Sequence, residues 1–363
     1  MNGRRKALAP LPPGATIGIL GGGQLGRMLA LAAARLGLKT HIYSDEQHPC
    51  AFDVAAEYTV GKYDDAAALE TFARACDAVT FEFENVPAAA IETVAKFAPA
   101  NPGARALNVA QDRLAEKTFA RELGLKTPPF FAVNSTAEAR EAFAKLDGRG
   151  VLKTRRFGYD GKGQAKVASA EECATAYDSF KGAPAILEGF VGFAFEASVI
   201  GARGQDGSFA AYDPPENLHQ NHILKRSTVP SRLSAAQIAD AKNIAQKMAA
   251  ALDYVGVFAV ELFVANDGAL LINEIAPRVH NSGHWTIEAC AVSQFEQHIR
   301  AICGWALGDT AARAKCEMIN LLGDEWKDWQ RYAKMPEAHV HLYGKADSRP
   351  GRKMGHVTII SRQ

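Results

Sequence analysis

The 363-residue sequence lacks the features that mark several special classes of protein. No apolar run approaches the roughly 20 residues that a membrane-spanning helix needs. Residues 1–13 are basic but carry no apolar segment of signal-peptide length, and we expect residues 1–14 to form a flexible tail. The formal net charge is only +1 and no basic stripe is present, which argues against nucleic-acid and membrane partners. We therefore expect small-molecule ligands.

Cysteine is also scarce. The six cysteines include no Cys-x-x-Cys pair, so the sequence lacks the paired cysteines that accompany paired histidines in zinc-finger sites. We expect these thiols to be reduced and inert, as in a cytoplasmic protein. Hydrophobic residues make up 48% of the chain and charged residues 22%, as in ordinary globular proteins, and the length allows two or three domains.

The most informative stretch is VFAVELFVANDGALLINEIAPRVHNSGHWT, residues 257–286. Two apolar runs, residues 257–264 and 269–275, each contain one carboxylate where a buried strand favours Val or Ile. These carboxylates are Glu261 and Glu274. The pattern predicts a hairpin whose two strands each present an acid.

The turn decides whether those acids meet. If Asp267-Gly268 forms a two-residue type I′ turn, every cross-strand pair sums to 535 and Glu261 faces Glu274. Opposed carboxylates repel each other unless a cation lies between them, and oxygen ligands favour Mg²⁺ or Mn²⁺. The alternatives are a solvent-exposed edge, or a three-residue loop that shifts the register and separates the acids.

A glycine-rich turn opens the chain's first predicted βα unit. A strand at residues 16–20 leads into Gly-x-Gly-x-x-Gly at residues 21–26, a helix ending at Gly37, and a second strand at residues 40–43. Such a turn binds any phosphate-bearing ligand at a helix N-terminus, so a nicotinamide or flavin cofactor is one alternative.

Further βα units continue the pattern. We predict a helix at residues 66–75, a strand at 78–83, and helices at 88–97 and 109–123. Glu82 falls at the carboxyl end of its strand, where parallel sheets bind ligands. It is either a partner for a sugar hydroxyl or a solvated strand end.

A second α+β unit follows residues 127–129. Lys153 ends a short strand and precedes a stretch rich in glycine and basic residues, 155–164, which is suited to closing over phosphates. Glu188 ends another apolar strand. Helices are predicted at residues 235–252 and 286–306.

After Gly308 the chain changes character. Short β-like runs at residues 318–322, 338–343 and 356–360 predict a small β-rich unit. The turn before the last run carries four cations, which form either a solvated loop or an anion clamp that reaches back to the first domain: Lys345, Arg349, Arg352 and Lys353.

These parts together are typical of phosphoryl transfer from ATP, whose catalysis consists mostly of positioning and charge neutralisation. Five motifs then resemble the ATP-grasp superfamily and, within it, the 5-(carboxyamino)imidazole ribonucleotide synthetases. The motifs are GGGQLGRM at residues 21–28, FGYDGKGQ at 157–164, LEGFV at 187–191, INEIAPRVHNSGHWT at 272–286 and GRKMGH at 351–356.

The resemblance covers nearly the whole chain after the tail. It implies a fold of mixed α/β and α+β class: a Rossmann-like domain at residues 15–112, an ATP-grasp domain at 113–308 with a mobile lid at about 127–190, and a small β-rich C-terminal domain at 309–363. It also implies a homodimer and Mg²⁺ or Mn²⁺ as the cofactor.

Site residues carry over by position. The metal ligands are Glu261 and Glu274, with Asn273 beside them, although strand alternation turns Asn273 to the opposite face unless the strand bends. The implied ATP contacts are Arg113, Lys153, Gly158, Tyr159, Asp160, Gly161, Lys162, Gly163, Gln164, Glu188, Gly189, Phe190, Val191, Glu196, His219, Asn273 and Glu274. The implied ribonucleotide contacts are Gln24, Leu25, Glu82, Tyr159, Asp160, Arg278, Lys345 and Arg352.

The reaction implied is carboxylation of 5-aminoimidazole ribonucleotide with bicarbonate and ATP, through carboxyphosphate, in purine biosynthesis. Its catalytic residues would be Lys153, Tyr159, Arg278, His280 and Asn281. Other ATP-grasp ligases, such as the formate-dependent glycinamide ribonucleotide transformylases, are an alternative that needs a different acceptor pocket. A nicotinamide-dependent dehydrogenase is a remote alternative that leaves the paired acids unexplained.

Overall fold

The computed structural model describes residues 9–158 and 162–361, and these residues form three β-sheets with flanking helices. Tyr159, Asp160 and Gly161 lie outside the described residues, as do residues 1–8 of the predicted tail. No helix in the described ranges is both long enough and apolar enough to cross a membrane. The mixed α/β and α+β class predicted from the sequence is confirmed.

The N-terminal sheet is parallel, with strand order β3-β2-β1-β4, as in a Rossmann-like domain. The helix after the glycine turn ends before Gly37, whose φ of +73° stops it. The elements are β1 (Thr16–Leu20), α1 (Gln24–Arg35), β2 (Lys39–Ser44), β3 (Glu57–Val60), α2 (Ala66–Arg74), β4 (Ala78–Phe81), α3 (Ala88–Val94) and α4 (Ala104–Ala110).

The continuous helix predicted for residues 109–123 is wrong. The chain ends α4 at Ala110 and begins α5 (Arg113–Glu122) after Asp112. The Asp112 carboxylate accepts hydrogen bonds from the backbone N–H groups of Leu114 and Ala115. A side chain that caps a helix start in this way competes with continuation of the preceding helix.

The second sheet is antiparallel, with order β5-β8-β6-β7, and packs against two helices through a small apolar core. Lys153 lies on β6 and Glu188 on β8, so these two of the predicted ATP contacts lie on neighbouring strands. The elements are β5 (Phe130–Val133), α6 (Thr136–Ala144), β6 (Gly150–Thr154), β7 (Gln164–Val167), α7 (Ala170–Ser179) and β8 (Ala185–Gly189).

The third sheet has nine described strands, in the order β14-β13-β9-β11-β12-β15-β17-β16 with β10 paired to β9. The three strands predicted near the C-terminus all belong to this sheet. The elements are β9 (Phe193–Arg203), β10 (Phe209–Ala211), β11 (Glu216–Gln220), β12 (Ile223–Val229), α8 (Ala235–Ala251), β13 (Gly256–Ala265), β14 (Leu270–Ala276), α9 (Thr286–Ala289), α10 (Gln294–Ile302), β15 (Cys316–Leu322), α11 (Trp329–Ala333), β16 (Ala338–Leu342) and β17 (Lys353–Ile360).

The single helix predicted for residues 286–306 is also wrong. The segment is divided into α9 and α10, because Cys290 forms an isolated β-bridge with Ala312. The Ser293 hydroxyl then caps α10 by accepting a hydrogen bond from the Glu296 N–H. His298 on α10 ties two sheets together. Its Nδ1 accepts from the Val257 N–H at 3.0 Å, and its Nε2 lies 2.8 Å from the Thr80 hydroxyl.

The hairpin between β13 and β14 has a different turn from the predicted one. Ala265 pairs with Ala269 around a three-residue loop, and Gly268 has a φ of +84°. The pairs next to this loop sum to 534, as in Leu262 with Ile272. A β-bulge then inserts Asn273, and from there Glu261 pairs with Glu274 as predicted.

Candidate active site

A cavity of about 390 Å³ lies between the glycine loop, the chain after β4 and the loop joining β16 to β17. Its volume suits a small-molecule ligand. Of the four cations predicted as an anion clamp, Lys345 and Arg352 line this cavity, whereas Arg349 is exposed and Lys353 lies on β17. Six of the predicted ribonucleotide contacts line the cavity: Gln24, Leu25, Glu82, Arg278, Lys345 and Arg352.

Glu82 organises the glycine loop from inside the cavity. Its buried carboxylate accepts hydrogen bonds from the N–H groups of Gly23 at 2.6 Å and Gly26 at 2.9 Å. Burial raises the pKa of Glu82 despite these bonds. A side chain of the chain itself therefore occupies two N–H groups that would otherwise be available to a phosphate at the start of α1.

A second, smaller cleft adjoins the first and includes Arg113 and Glu274 in its lining. Glu84 lines both cavities and pairs with the Arg278 guanidinium. Desolvation opposes ionisation of Glu84, but the Arg278 charge and hydrogen bond lower its pKa to about 2. The junction of the two cavities is thus an ion pair.

Cations surround the predicted ATP site. The Arg113 guanidinium donates to Glu274 Oε2 at 3.1 Å and to the Gly158 carbonyl at 3.4 Å. The Lys153 ammonium donates to Glu188 Oε2 at 2.9 Å. Burial opposes ionisation of Glu188, but the neighbouring lysines lower its pKa to about 2. Glu188 Oε1 is buried and has no hydrogen-bond partner among the described residues, so it can accept a bond from a ligand.

Other predicted ATP contacts lie on β9 and β11, directly after β8 and directly before β7. Glu196 and His219 pair at 2.7 Å between β9 and β11. Burial lowers the pKa of His219, but the hydrogen bond to Glu196 and the charges of Glu261 and Glu196 together outweigh it, so the net shift is upward. Phe190, after β8, is 41% exposed and lies under the Arg149 guanidinium at 4.7 Å. The Gly163 carbonyl, in the glycine-rich stretch of residues 155–164, accepts a hydrogen bond from the Thr154 backbone N–H.

The paired carboxylates can form half of a divalent-cation site. Asn273 and Glu274 both oppose Glu261, because the bulge inserts one residue, and all three side chains lie on the half-exposed face of the hairpin. No group of three or more His, Cys, Asp or Glu residues in the described ranges is arranged to hold a metal ion. The oxygen donors fit Mg²⁺ or Mn²⁺ only if a nucleotide and water complete the shell.

His280 is fixed by a buried polar chain. Its Nδ1 accepts from the Ser282 N–H at 3.3 Å, so Nε2 carries the proton that faces Glu261 Oε1 at 3.0 Å. The Ser282 hydroxyl contacts Nδ1 at 2.8 Å and the Ser198 hydroxyl at 2.6 Å. Burial opposes ionisation of Glu261, but the His280 hydrogen bond and the electrostatic effects of His280, His219 and Lys353 together lower its pKa to about 2.

Asn281 lies in the same turn as His280 and has an unusual environment. It is 8% exposed, and neither its amide nitrogen nor its amide oxygen has a hydrogen-bond partner within residues 9–158 and 162–361. Buried amides are rarely left without partners. Asn281 is therefore able to bind a polar ligand at little further cost in desolvation.

Three residues near this site were not predicted from the sequence as site residues: Glu84, Glu116 and Lys117. Glu116 lines the smaller cleft, and Lys117 lies 3.7 Å from Glu188. The helical spacing of α5 could have identified Glu116. It precedes Phe119 by three residues and Ala120 by four, which places it on the buried face of the helix. Glu84 follows Glu82 at the carboxyl end of the same predicted strand, which is where parallel sheets bind ligands.

Family models match in three consecutive segments. Residues 14–111 match the ribonucleotide synthetase preATP-grasp domain, residues 118–295 the ATP-grasp domain, and residues 316–363 the phosphoribosylaminoimidazole carboxylase C-terminal domain. The fold and the site together define an ATP-grasp enzyme.

Whole-chain relatives narrow the class. The chain is 50% identical to N5-carboxyaminoimidazole ribonucleotide synthase of Brucella melitensis, over 96% of this chain and 97% of the relative. It is 40% identical to that of Bacillus subtilis, over 96% and 92%. The chain belongs to the N5-carboxyaminoimidazole ribonucleotide synthase family.

Solved structures agree with this assignment. An N5-carboxyaminoimidazole ribonucleotide synthetase with ADP superposes with a TM-score of 0.93 at 40% identity, covering 97% of this chain and 94% of that one. The Aspergillus clavatus enzyme, in complex with ADP and 5-aminoimidazole ribonucleotide, gives a TM-score of 0.90 at 32% identity, covering 96% and 94%.

Proposed function

We propose that the chain uses ATP and bicarbonate to carboxylate the amino group of 5-aminoimidazole ribonucleotide, giving N5-carboxyaminoimidazole ribonucleotide, ADP and phosphate. The observation that carries this proposal is the pair of adjoining cavities that share Glu84. The larger is lined by six of the predicted ribonucleotide contacts, and the smaller contains Arg113 and Glu274. The two-cavity arrangement suits a reaction in which an activated group passes from a nucleotide to a second substrate.

ATP is proposed to bind between the second sheet and the hairpin. Glu188 Oε1, which has no hydrogen-bond partner within residues 9–158 and 162–361, is a candidate acceptor for a donor on the adenine, and the Glu196–His219 pair is a candidate for the ribose. Lys153 and Arg113 place positive charge where the phosphates would lie, and fixed cations stabilise phosphoryl transfer without reorganising.

Glu261, Glu274 and Asn273 are proposed to hold Mg²⁺ or Mn²⁺ with the phosphates. A cation bound there would neutralise charge on the transferred phosphoryl group. His280 and Arg113, which pair with the two carboxylates here, would then be released toward the substrates. His280 remains oriented because Ser282 holds its Nδ1 from behind.

Bicarbonate is proposed to bind beside Arg278, His280 and Asn281. Its oxygen attacks the γ-phosphorus of ATP, which releases ADP and forms carboxyphosphate. Carboxyphosphate then breaks to carbon dioxide and phosphate, and the exocyclic amine of the ribonucleotide bonds to the carbon and loses a proton. Closure of residues 155–164 would exclude water, which otherwise hydrolyses carboxyphosphate.

The ribonucleotide phosphate is proposed to lie between Lys345 and Arg352, with the sugar near Glu82. ADP release with 5-aminoimidazole ribonucleotide, glycinamide ribonucleotide or no acceptor tests this choice. We expect at least tenfold stimulation by the first compound only. Equal stimulation by glycinamide ribonucleotide would contradict it.

We also propose that the protein is a homodimer, as the family resemblance implies. Light scattering coupled to size-exclusion chromatography should give twice the 39.0 kDa mass of the chain.

A further inference from the structure

The strand that carries Glu274 is at the edge of the third sheet, and α5 covers that edge. In a regular strand, successive carbonyls point to opposite sides. At the Asn273 bulge, two successive carbonyls point outward and both accept from the Lys117 ammonium, at 2.9 Å for Ile272 and 2.5 Å for Asn273. The Ile272 carbonyl points outward because its residue faces away from β13, as its N–H does in donating to the Lys126 carbonyl. The Asn273 carbonyl points outward because of the bulge, and one side chain satisfies both.

Glu116 satisfies the next outward group. Its carboxylate accepts from the Ile275 N–H, on the other side of Glu274 from the Lys117 contacts. The backbone is thus held both before and after Glu274 by adjacent residues of one helix. Glu116 is 1% exposed and Lys117 0%, and ionisable side chains are rarely buried so completely unless a specific contact requires them.

The bulge decides which residue faces Glu261. The pairs beside the three-residue loop sum to 534, and continuing that register would pair Glu261 with Asn273. Glu274 would then pair with Val260 and point to the opposite face. The inserted residue brings Glu274 across from Glu261.

We propose that Glu116 and Lys117 are positioning residues, which hold the Asn273 bulge and thereby present Glu274 opposite Glu261 as a divalent-cation site. This inference depends on the proposed metal role of the two carboxylates. Lys117 also lies 3.7 Å from Glu188, whereas Glu116 does not contact that residue. Glu116 is consequently the cleaner position to test.

The experiment measures Mn²⁺ binding in the presence of ADP, by the electron paramagnetic resonance signal of free Mn²⁺. Glu116→Leu cannot accept from the Ile275 N–H and should weaken Mn²⁺ binding at least tenfold. Glu116→Gln keeps an acceptor oxygen and should stay within threefold of the wild type. Lys117→Met should weaken binding as Glu116→Leu does, and Glu122→Gln on the exposed side of α5 should change nothing.

Two results would overturn the inference: binding by Glu116→Leu within threefold of the wild type, or equal losses for the Leu and Gln variants. Glu274→Gln distinguishes failure of the proposed metal site from failure of the positioning role alone. If Glu274→Gln does not weaken Mn²⁺ binding, the proposed metal site itself fails; if Glu274→Gln alone weakens it, only the positioning role fails.

The wild type supplies a second measurement should the Leu and Met variants not fold. Mn²⁺ with ADP should slow amide hydrogen exchange around Lys117 in α5 as well as in β14. Protection confined to the hairpin would count against the positioning role.

Discussion

Glu84 and Arg278 form an ion pair at the junction of the two cavities, and Arg278 also donates to the Val279 carbonyl at 3.1 Å. The guanidinium is therefore held at Nε by a carboxylate and at Nη1 by a carbonyl. Within the described residues no hydrogen bond occupies Nη2, which can donate to an anion that reaches the junction. This geometry makes Arg278 a fixed charge between the donor and the acceptor.

Replacing Glu84 should misplace that charge. We expect Glu84→Gln to lower kcat with 5-aminoimidazole ribonucleotide by roughly ten- to a hundredfold, because small displacements of a positioned group have effects of that size. KM for ATP should stay within threefold. Steady-state kinetics with each substrate varied in turn measure both values, with Glu92→Gln on exposed α3 as the control. An unchanged kcat would show that Glu84 does not position Arg278.

Removing the Glu82 carboxylate should destabilise the glycine loop. Glu82→Ala leaves the Gly23 and Gly26 N–H groups without their acceptor, at a cost of about 2–3 kcal/mol in the free energy of unfolding. Glu82→Gln retains one acceptor oxygen and should lose less than half of that. Urea unfolding curves measure the difference. Equal stabilities of the Ala variant and the wild type would mean that water replaces the carboxylate.

Binding of the ribonucleotide should weaken at alkaline pH. Burial lowers the pKa of Lys345 to about 8, so the free enzyme loses this charge above pH 8. If the ammonium binds the ribonucleotide phosphate, kcat/KM for the ribonucleotide should fall as pH rises from 7.5 to 9.5. Lys345→Arg stays charged over this range and should flatten the profile. A decline that persists in the Arg variant would assign the titration to another group.

Acid should loosen the contact between the first and third sheets. Burial lowers the pKa of His298 to about 4 in the folded protein, against about 6.5 in an unfolded chain. The unfolded state therefore binds more protons between these pH values, and stability falls as pH drops from 6.5 to 4. The loss from this group is about 3 kcal/mol at full extent. His298→Gln should remove that part of the pH dependence in unfolding curves measured between pH 4.5 and 7.

Local sequence patterns predicted six elements of the N-terminal domain, β1, α1, β2, α2, β4 and α3, but missed β3 and α4. The buried run of β1 and the glycine after α1 act through neighbouring residues, and the structure places both where expected. The two helices wrongly predicted as continuous fail for a shared reason. Asp112 and Ser293 each cap the start of a new helix. Hydrophobic periodicity continues across both caps, so a prediction from periodicity alone joins the two helices into one.

The hairpin shows the limit of reasoning from one segment. The predicted pairing of Glu261 with Glu274 is confirmed, but through a three-residue loop and a bulge instead of a two-residue turn. The contacts that satisfy the bulge come from Glu116 and Lys117, more than 150 residues earlier in the chain. The hydrophobic periodicity of β14 cannot predict these contacts. The roles predicted for Tyr159, Asp160 and Gly161 stay predictions, since these residues lie outside the described ranges.

The most direct test of the account is transfer of carbon from ¹³C-bicarbonate to 5-aminoimidazole ribonucleotide, followed by NMR together with ADP release. The wild type with Mg-ATP should form one ¹³C-labelled carbamate for each ADP, and Glu274→Gln should lower both rates together by at least a hundredfold. ADP release without labelled ribonucleotide in the wild type would contradict the proposed acceptor, and an undiminished rate in Glu274→Gln would contradict the proposed metal site.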